Sequence, residues 1–142
     1  MVHIMHLKSE PFKSIESGTK TVELRLYDNK RRLLDVGDDI IFIHLADDSE
    51  RLAARVKALY RYASFEELFS DIAPEKCGFQ NGETVEEAAA SMQKYYSAKQ
   101  IGLHGVLGIK IESIPFENEL KILKDIDFSE LSDDRYFPDG MK

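Results

Sequence analysis

Residues Gly18 to Arg25 read GTKTVELR, and how this stretch is read decides the fold. From Lys20 to Tyr27 the side chains alternate with period two: Val22, Leu24 and Leu26 fall on one face, Thr21, Glu23, Arg25 and Tyr27 on the other. Such alternation predicts a strand with an apolar inner face and a polar face open to chemistry. Just upstream, Ser9 is placed as the N-cap of a short helix, with Pro11 in its first turn and Phe12, Ile15 and Glu16 along it. Gly18 stands where a left-handed C-terminal cap is wanted. The chain is thus expected to leave a helix at a glycine and enter a strand through Lys20, a junction where clefts commonly form. Glu23 and Arg25, two apart on one face, make either a surface ion pair worth ~0–1 kcal/mol or the edge of a binding site.

Working outward, His3 to Leu7 reads as a first strand and Ile40 to Leu45, apolar on both faces, as a central one. Between them, Asp28 to Asp39 is a charged connection in which Val36-Gly37-Asp38 marks a turn. Asp47-Asp48-Ser49 supplies the next turn, followed by a long strand from Arg51 to Tyr62. Its even positions (Leu52, Ala54, Val56, Ala58, Tyr60, Tyr62) are mostly apolar, and its odd positions include Arg51, Arg55, Lys57 and Arg61. Ser64 caps a helix through Ile72, with Glu67 in the capping-box position; Thr84, with Glu87, caps a longer helix running to about Ala98. Gly105 to Ile114 is a last strong strand, ended by Pro115. Five or six strands with inserted helices predict an α+β fold, a small, strongly curved sheet or barrel. Helices do not alternate regularly with strands, which disfavours a doubly wound parallel sheet.

The length of 142 residues and a composition 43% apolar and 32% charged are those of one globular domain, not a disordered chain. No apolar run approaches the ~18–20 residues that span a bilayer. One cysteine, Cys77, cannot form an internal disulfide, and the N-terminus lacks the pattern of a signal peptide; a cytoplasmic location is expected. The net charge of −7 is uneven: residues 1–63 carry 11 basic and 10 acidic side chains, residues 64–90 carry 1 and 7. The acidity lies in the middle segment and in the tail. General steering of nucleic acid is therefore weak, whereas a local site for an anionic ligand, or an acidic surface for a protein partner, stays open. Residues 116–142 are expected to form an extension with one apolar run, Leu120 to Leu123, and a mobile acidic end.

The pattern Gly-x-Lys-x-x-Glu-x-Arg, here Gly18, Lys20, Glu23 and Arg25, resembles the signature of the ASCH domain, a branch of the PUA-like superfamily. The HIMHL strand, the Pro11-Phe12 helix, Val36-Gly37-Asp38, Ser64 to Leu68 and the closing GVLGIKI also fit in order, so that residues 1–115 form the domain. The resemblance implies a compact β-barrel with a helix-lined cleft and a role in binding RNA or a modified nucleoside. Binding needs cations for phosphate and flat groups for bases. Lys20, Arg25, Lys30, Arg31 and Arg32 could supply the former, Tyr27 or Tyr60 the latter, with Gly18 and Glu23 completing the motif; the Arg51/Arg55/Lys57/Arg61 stripe is a second basic candidate.

The resemblance also carries a catalytic alternative. Some ASCH-like proteins are amidohydrolases that remove the acetyl group of N4-acetylcytidine, and ribonuclease activity is attributed to others. In the amidohydrolase pattern a lysine matching Lys20 acts as base on a threonine three residues on, assisted by a glutamate. Here that threonine position is Glu23, so the nucleophile is missing: Glu23 either holds a water for direct hydrolysis, with Lys20 as base and Glu75 or Glu83 assisting, or simply neutralises Lys20.

The remaining candidates read as structural. Cys77 has no histidine near it in sequence and is expected to be a free structural thiol. The spacing of His3 and His6 does not favour a shared metal site, and His44 and His104 are isolated. Tyr95 and Tyr96 are expected to pack against the sheet. With no Gly-rich phosphate loop and no CxxC pair, neither a cofactor nor a metal is expected.

Overall fold

The computed structural model describes residues 1–115 and the backbone of 132–134. Within these residues six strands form one sheet: β1 (Val2–Leu7), β2 (Val22–Leu26), β3 (Asp39–His44), β4 (Asp47–Tyr62), β5 (Val106–Ser113) and β6 (Ser132–Asp134). Their order is β2-β5-β4-β3-β1-β6, antiparallel except that β1 runs parallel to both β3 and β6. Helices α1 (Ser9–Glu16), α2 (Phe65–Asp71), α3 (Val85–Ser91) and α4 (Ala98–His104) are inserted between strands. The sheet curls: Arg25 on β2 donates to the His6 carbonyl of β1 at 3.1 Å, although three strands separate the two in sheet order. This is the curved α+β architecture expected from the alternation. The Leu120 to Leu123 run and the acidic end expected to be mobile lie outside the described residues, apart from the short β6.

Each face of the sheet carries its own core. Met5, Leu7, Ile40, Phe42, Ala54, Val56, Leu107 and Ile109 meet on the inner face, closed by Phe12 and Ile15 of α1. On the outer face Val22, Leu24, Leu26 and Val106 pack against Phe65, Leu68 and Phe69 of α2 and Ala88 and Ala89 of α3. Burying each Leu, Ile, Val or Phe contributes roughly 1.5–3 kcal/mol. The apolar face of β2 is therefore the outer one, covered by helices, and not the inner one expected. Its register places Glu23 opposite Ile109 and Arg25 opposite Leu107, so the polar pair points into the curl.

Four further expectations are corrected. Alternation along β4 does not hold throughout: a bulge at Lys57 shifts the register between Val56 and Ala58. Ala54 and Val56 face the inner core before it, but Leu59 does so after it, while Tyr62 joins the outer core. The β3–β4 turn is Leu45-Ala46; Asp47 to Ser49 form an irregular opening of β4, in which Asp47 Oδ1 accepts from the Ser49 amide and hydroxyl. The single helix expected from Thr84 to Ala98 is broken: α3 ends in a 3-10 turn at Met92–Lys94, and Ser97 starts α4 with a capping box to Gln100. Lastly, Ser9 does not cap α1. The cap position is Lys8, which makes no side-chain cap bond, and the Ser9 hydroxyl reaches His44, so this histidine is not isolated.

Thr84 with Glu87 does form the expected capping box, Ser64 accepts from the Glu67 amide, and Gly18 has φ +83° in the expected left-handed cap. Among the described residues no helix is long and apolar enough to cross a membrane.

Candidate functional site

Because β2 turns its polar face inward, Glu23 and Arg25 are only 3% and 5% exposed. A carboxylate in that setting must find donors, and Glu23 finds four. Its Oε1 lies 2.8 Å from Lys20 Nζ and accepts from the Leu24 amide at 3.1 Å. Its Oε2 accepts from Arg25 Nε at 3.2 Å and Nη2 at 3.0 Å. These donors fill the lone-pair positions of the carboxylate. Burial alone would raise the Glu23 pKa from 4.5; the charges and hydrogen bonds of Lys20 and Arg25 outweigh it and hold the carboxyl at about 2. At neutral pH an anion thus sits between two cations.

Lys20 reaches this position from the α1–β2 connection, where its amide donates to the Ser14 carbonyl at 3.0 Å. The following amide, of Thr21, donates to the Lys76 carbonyl at 2.8 Å and ties the start of β2 to a 3-10 turn at Pro74–Cys77. Gly78 ends that turn with φ +97°, and a Cβ there would come within 3.1 Å of Lys20 Cδ. Only a glycine lets the backbone lie this close over the lysine stem. Beside it, burial pushes the Cys77 thiol up to about 12, opposed by the Lys20 charge and reinforced by Glu23 and Glu75.

Over this ion cluster lies a cleft of about 740 Å³, within the usual range for small-ligand sites. Its lining balances in charge: Lys8, Lys20, Arg25 and Lys94 against Glu10, Glu23, Glu83 and Glu87. Phe79, Tyr95 and Tyr96 bring aromatic rings to it, and Lys8 Nζ lies 5.9 Å from the centre of the Tyr95 ring. Both tyrosines also pack with the outer core, Tyr96 stacking on Phe65.

The structure brings Lys20, Glu23 and Arg25 together in one cluster, with Lys20 on the same side as the other two. Gly18, Tyr27, Arg31 and Arg32 do not line the cleft. Gly18 forms the turn after α1, and Arg31 is buried against Asp28 at 3.2 Å. Arg32 and Arg61 lie over the Tyr27 ring, 5.0 and 3.9 Å from its centre. Glu83 lines the cleft and Glu75 does not. In the basic stripe of β4, Arg55 pairs with Asp39 at 3.1 Å and Lys57 with Glu112 at 3.9 Å, while Arg51 Nε donates to the Asp48 carbonyl. Among the described residues no group of three or more His, Cys, Asp or Glu side chains is arranged to hold a metal. Sequence reasoning missed the aromatic wall, because Phe79 falls in an aperiodic loop and the two tyrosines carry a packing role as well.

Residues 5–115 match the ASCH domain family. The fold is similar to the crystal structure of hypothetical protein PH0355, at 32% identity and a TM-score of 0.71, over 80% of this chain and 100% of that one. It is also similar to the solution structure of protein PF0455 from Pyrococcus furiosus, at 29% identity and a TM-score of 0.63, over 82% and 100% of the two chains. A mutant ASCH protein from Zymomonas mobilis shares the fold at 16% identity, with a TM-score of 0.58 over 89% of this chain and 82% of that one. No curated protein matches significantly. The curled sheet with inserted helices is thus the α+β, PUA-like fold of ASCH proteins. The matched span takes in Lys20, Glu23, Arg25 and the aromatic wall above them, and the chain belongs to the ASCH domain family.

Proposed function

We propose that the cleft recognises a nucleobase, presented by a modified nucleoside or by single-stranded RNA. The observation that carries this reading is the buried Glu23, which holds Lys20 and Arg25 side by side beneath a cleft with an aromatic wall. In it, Lys20 and Arg25 donate to a base carbonyl or phosphate, Glu23 fixes their spacing, and a ring such as Tyr95 offers a stacking face. The balanced lining favours a base or a short strand over a long polyanion, whose affinity would need excess positive charge.

The test is titration of labelled single-stranded RNA, and separately of cytidine and N4-acetylcytidine, against wild type and Lys20→Ala at low salt. Loss of a charged hydrogen bond of about 1.5–3 kcal/mol should weaken binding roughly 10–100-fold. Equal affinity of both proteins, or no binding by either, would sink the reading.

A second reading is hydrolysis of a nucleoside amide or of RNA, with Lys20 as base and Glu23 holding water. One observation favours it: Lys20 is only 8% exposed, as a reactive lysine in a closed site would be. Against it, Glu23 already accepts from four donors and has no lone pair left to orient water. Chromatography after incubation with N4-acetylcytidine and with RNA decides between the readings; turnover abolished by Lys20→Ala and Glu23→Ala would establish hydrolysis.

A further inference from the structure

A second cluster of reactive groups stands at the other end of α1. Ser9, the first residue of that helix, places its Oγ 2.6 Å from His44 Nε2. On the far side of the ring, His44 Nδ1 lies 3.3 Å from Glu50 Oε1. With the Nδ1 proton donated to Glu50, Nε2 is the acceptor for the Ser9 hydroxyl. Hydroxyl, imidazole and carboxylate then follow in the order that activates a serine for attack on a carbonyl.

Three elements converge to make this arrangement. Ser9 comes from the start of α1, His44 from the end of β3, and Glu50 from the opening of β4, where the register shift after Ile43 carries it past the regular ladder. The imidazole is fixed by stacking on Phe12, with ring centres 4.8 Å apart and planes inclined by 15°. The serine hydroxyl is not spent on capping its helix, and Lys8 provides no side-chain cap either. The first-turn amides of Ser9 and Glu10, which an α-helix leaves without intrahelical partners, are therefore available as donors for an oxyanion beside Oγ. Access exists: Ser9 is partly exposed, and its chain neighbours Lys8 and Glu10 line the cleft, while Ser9, His44 and Glu50 stand outside its lining.

We propose that Ser9, His44 and Glu50 form an acyl-transfer site, separate from the Lys20 cluster, that acts on a small ester or thioester. The Ser9 oxygen attacks the carbonyl carbon while its proton passes to His44 Nε2, giving a tetrahedral oxyanion held by the first-turn amides. The intermediate collapses, the bond to the alcohol or thiol breaks, and His44 returns the proton to that leaving group. Water, deprotonated by His44, then attacks the acyl-Ser9 ester; the bond between the acyl carbon and Ser9 Oγ breaks, His44 returns the proton to Oγ, and the carboxylic acid leaves. Glu50 is a positioning residue: it holds the tautomer and balances the imidazolium during each transfer.

The experiment uses the full chain and p-nitrophenyl acetate, with release of p-nitrophenolate followed by absorbance and the acylated residue found by peptide mass mapping. The expected result is a single acetyl group on Ser9, absent in Ser9→Ala, with release slowed about 100-fold or more in His44→Gln. Glu50→Gln should slow acylation and Glu50→Asp should restore part of the rate, a pattern that a role in packing alone does not produce. Ser70→Ala, on the exposed side of α2, should match wild type. If circular dichroism shows His44→Gln to be unfolded, labelling of wild type by a fluorophosphonate decides: modification of Ser9 supports the site, and its absence overturns it. The proposal also fails if the acetyl group lands on lysines, or if Ser9→Ala releases p-nitrophenolate as fast as wild type. The three residues would then be a clamp between α1 and the sheet.

Discussion

Lys20 Nζ meets Glu23 Oε1 at 2.8 Å with both side chains less than a tenth exposed, whereas Arg55 and Asp39 make their contact at 3.1 Å with the arginine half exposed to water. The two pairs look alike in a list of distances but differ in energy. An exposed pair contributes about 0–1 kcal/mol, because water screens it. Removing one member of a buried pair leaves the other charged and dry, at a cost of about 3–5 kcal/mol. Glu23→Gln, which keeps the shape and removes the charge, should therefore destabilise the fold by about that amount in urea unfolding. Arg55→Ala should change stability by less than about 1 kcal/mol. Similar small effects for both variants would mean that the Glu23 cluster is not a dry one.

Acid should expose the same carboxylate. Glu23 is held at about 2 in the folded chain against an ordinary value of 4.5, so between those pH values the unfolded chain binds a proton that the folded one refuses. Stability then rises with pH across the window. The contribution, about 3 kcal/mol, is complete above pH ~4.5 and is lost as pH falls through ~2. Urea unfolding of wild type at several pH values should show this slope, and Glu23→Gln should flatten it. Equal slopes in the two proteins would assign the acid sensitivity to other carboxylates.

Gly78→Ala should hurt twice. The positive φ alone costs about 1 kcal/mol for a residue with a Cβ, and the new methyl meets the Lys20 stem at 3.1 Å. Gly37→Ala, with φ +96°, open space around it and a place outside the cleft, bears only the first of these costs. Gly78→Ala should therefore lower both stability and ligand affinity, and Gly37→Ala stability alone. Thermal melts paired with ligand titration distinguish the two.

Cys77, buried and with its thiol pushed up to about 12, should resist iodoacetamide at neutral pH in the native protein and react fully in urea. Mass spectrometry reads the adduct. Since Cys77 and Gly78 are adjacent in the segment over Lys20, slow native labelling would time the opening of that segment. Rapid labelling at neutral pH would contradict the burial.

Local chemistry made much of this legible. Gly18, the Thr84–Glu87 box and the alternation of Val22, Leu24 and Leu26 each depend on near neighbours in the chain, and each appears where those neighbours require it. Which face of β2 is inside was not legible, because the answer depends on Phe65, Leu68 and Ala88, which arrive later and cover the outer face. The same holds for His44, whose partners Ser9 and Glu50 are brought in by parallel pairing of β1 with β3 and by an irregular start to β4. The break before α4 could have been read: Ser97 and Gln100 carry their own helix-start signal, and it prevails over continued periodicity.

The bulge at Lys57 has a bearing on how this chain can change in length. Along a regular strand, gaining or losing one residue inverts every side chain beyond it, sending core residues to the opposite face. Lys57 already stands outside that count, since Val56 pairs with Ile111 and Ala58 with the adjacent Lys110. Its deletion would leave Leu59 and Tyr62 facing as they do now and remove the local bend together with the exposed Lys57–Glu112 contact. Related sequences aligned to this one should therefore drop a residue at position 57 far more readily than at Ala54 or Leu59, and the sheet of such a relative should curl less tightly beside β5.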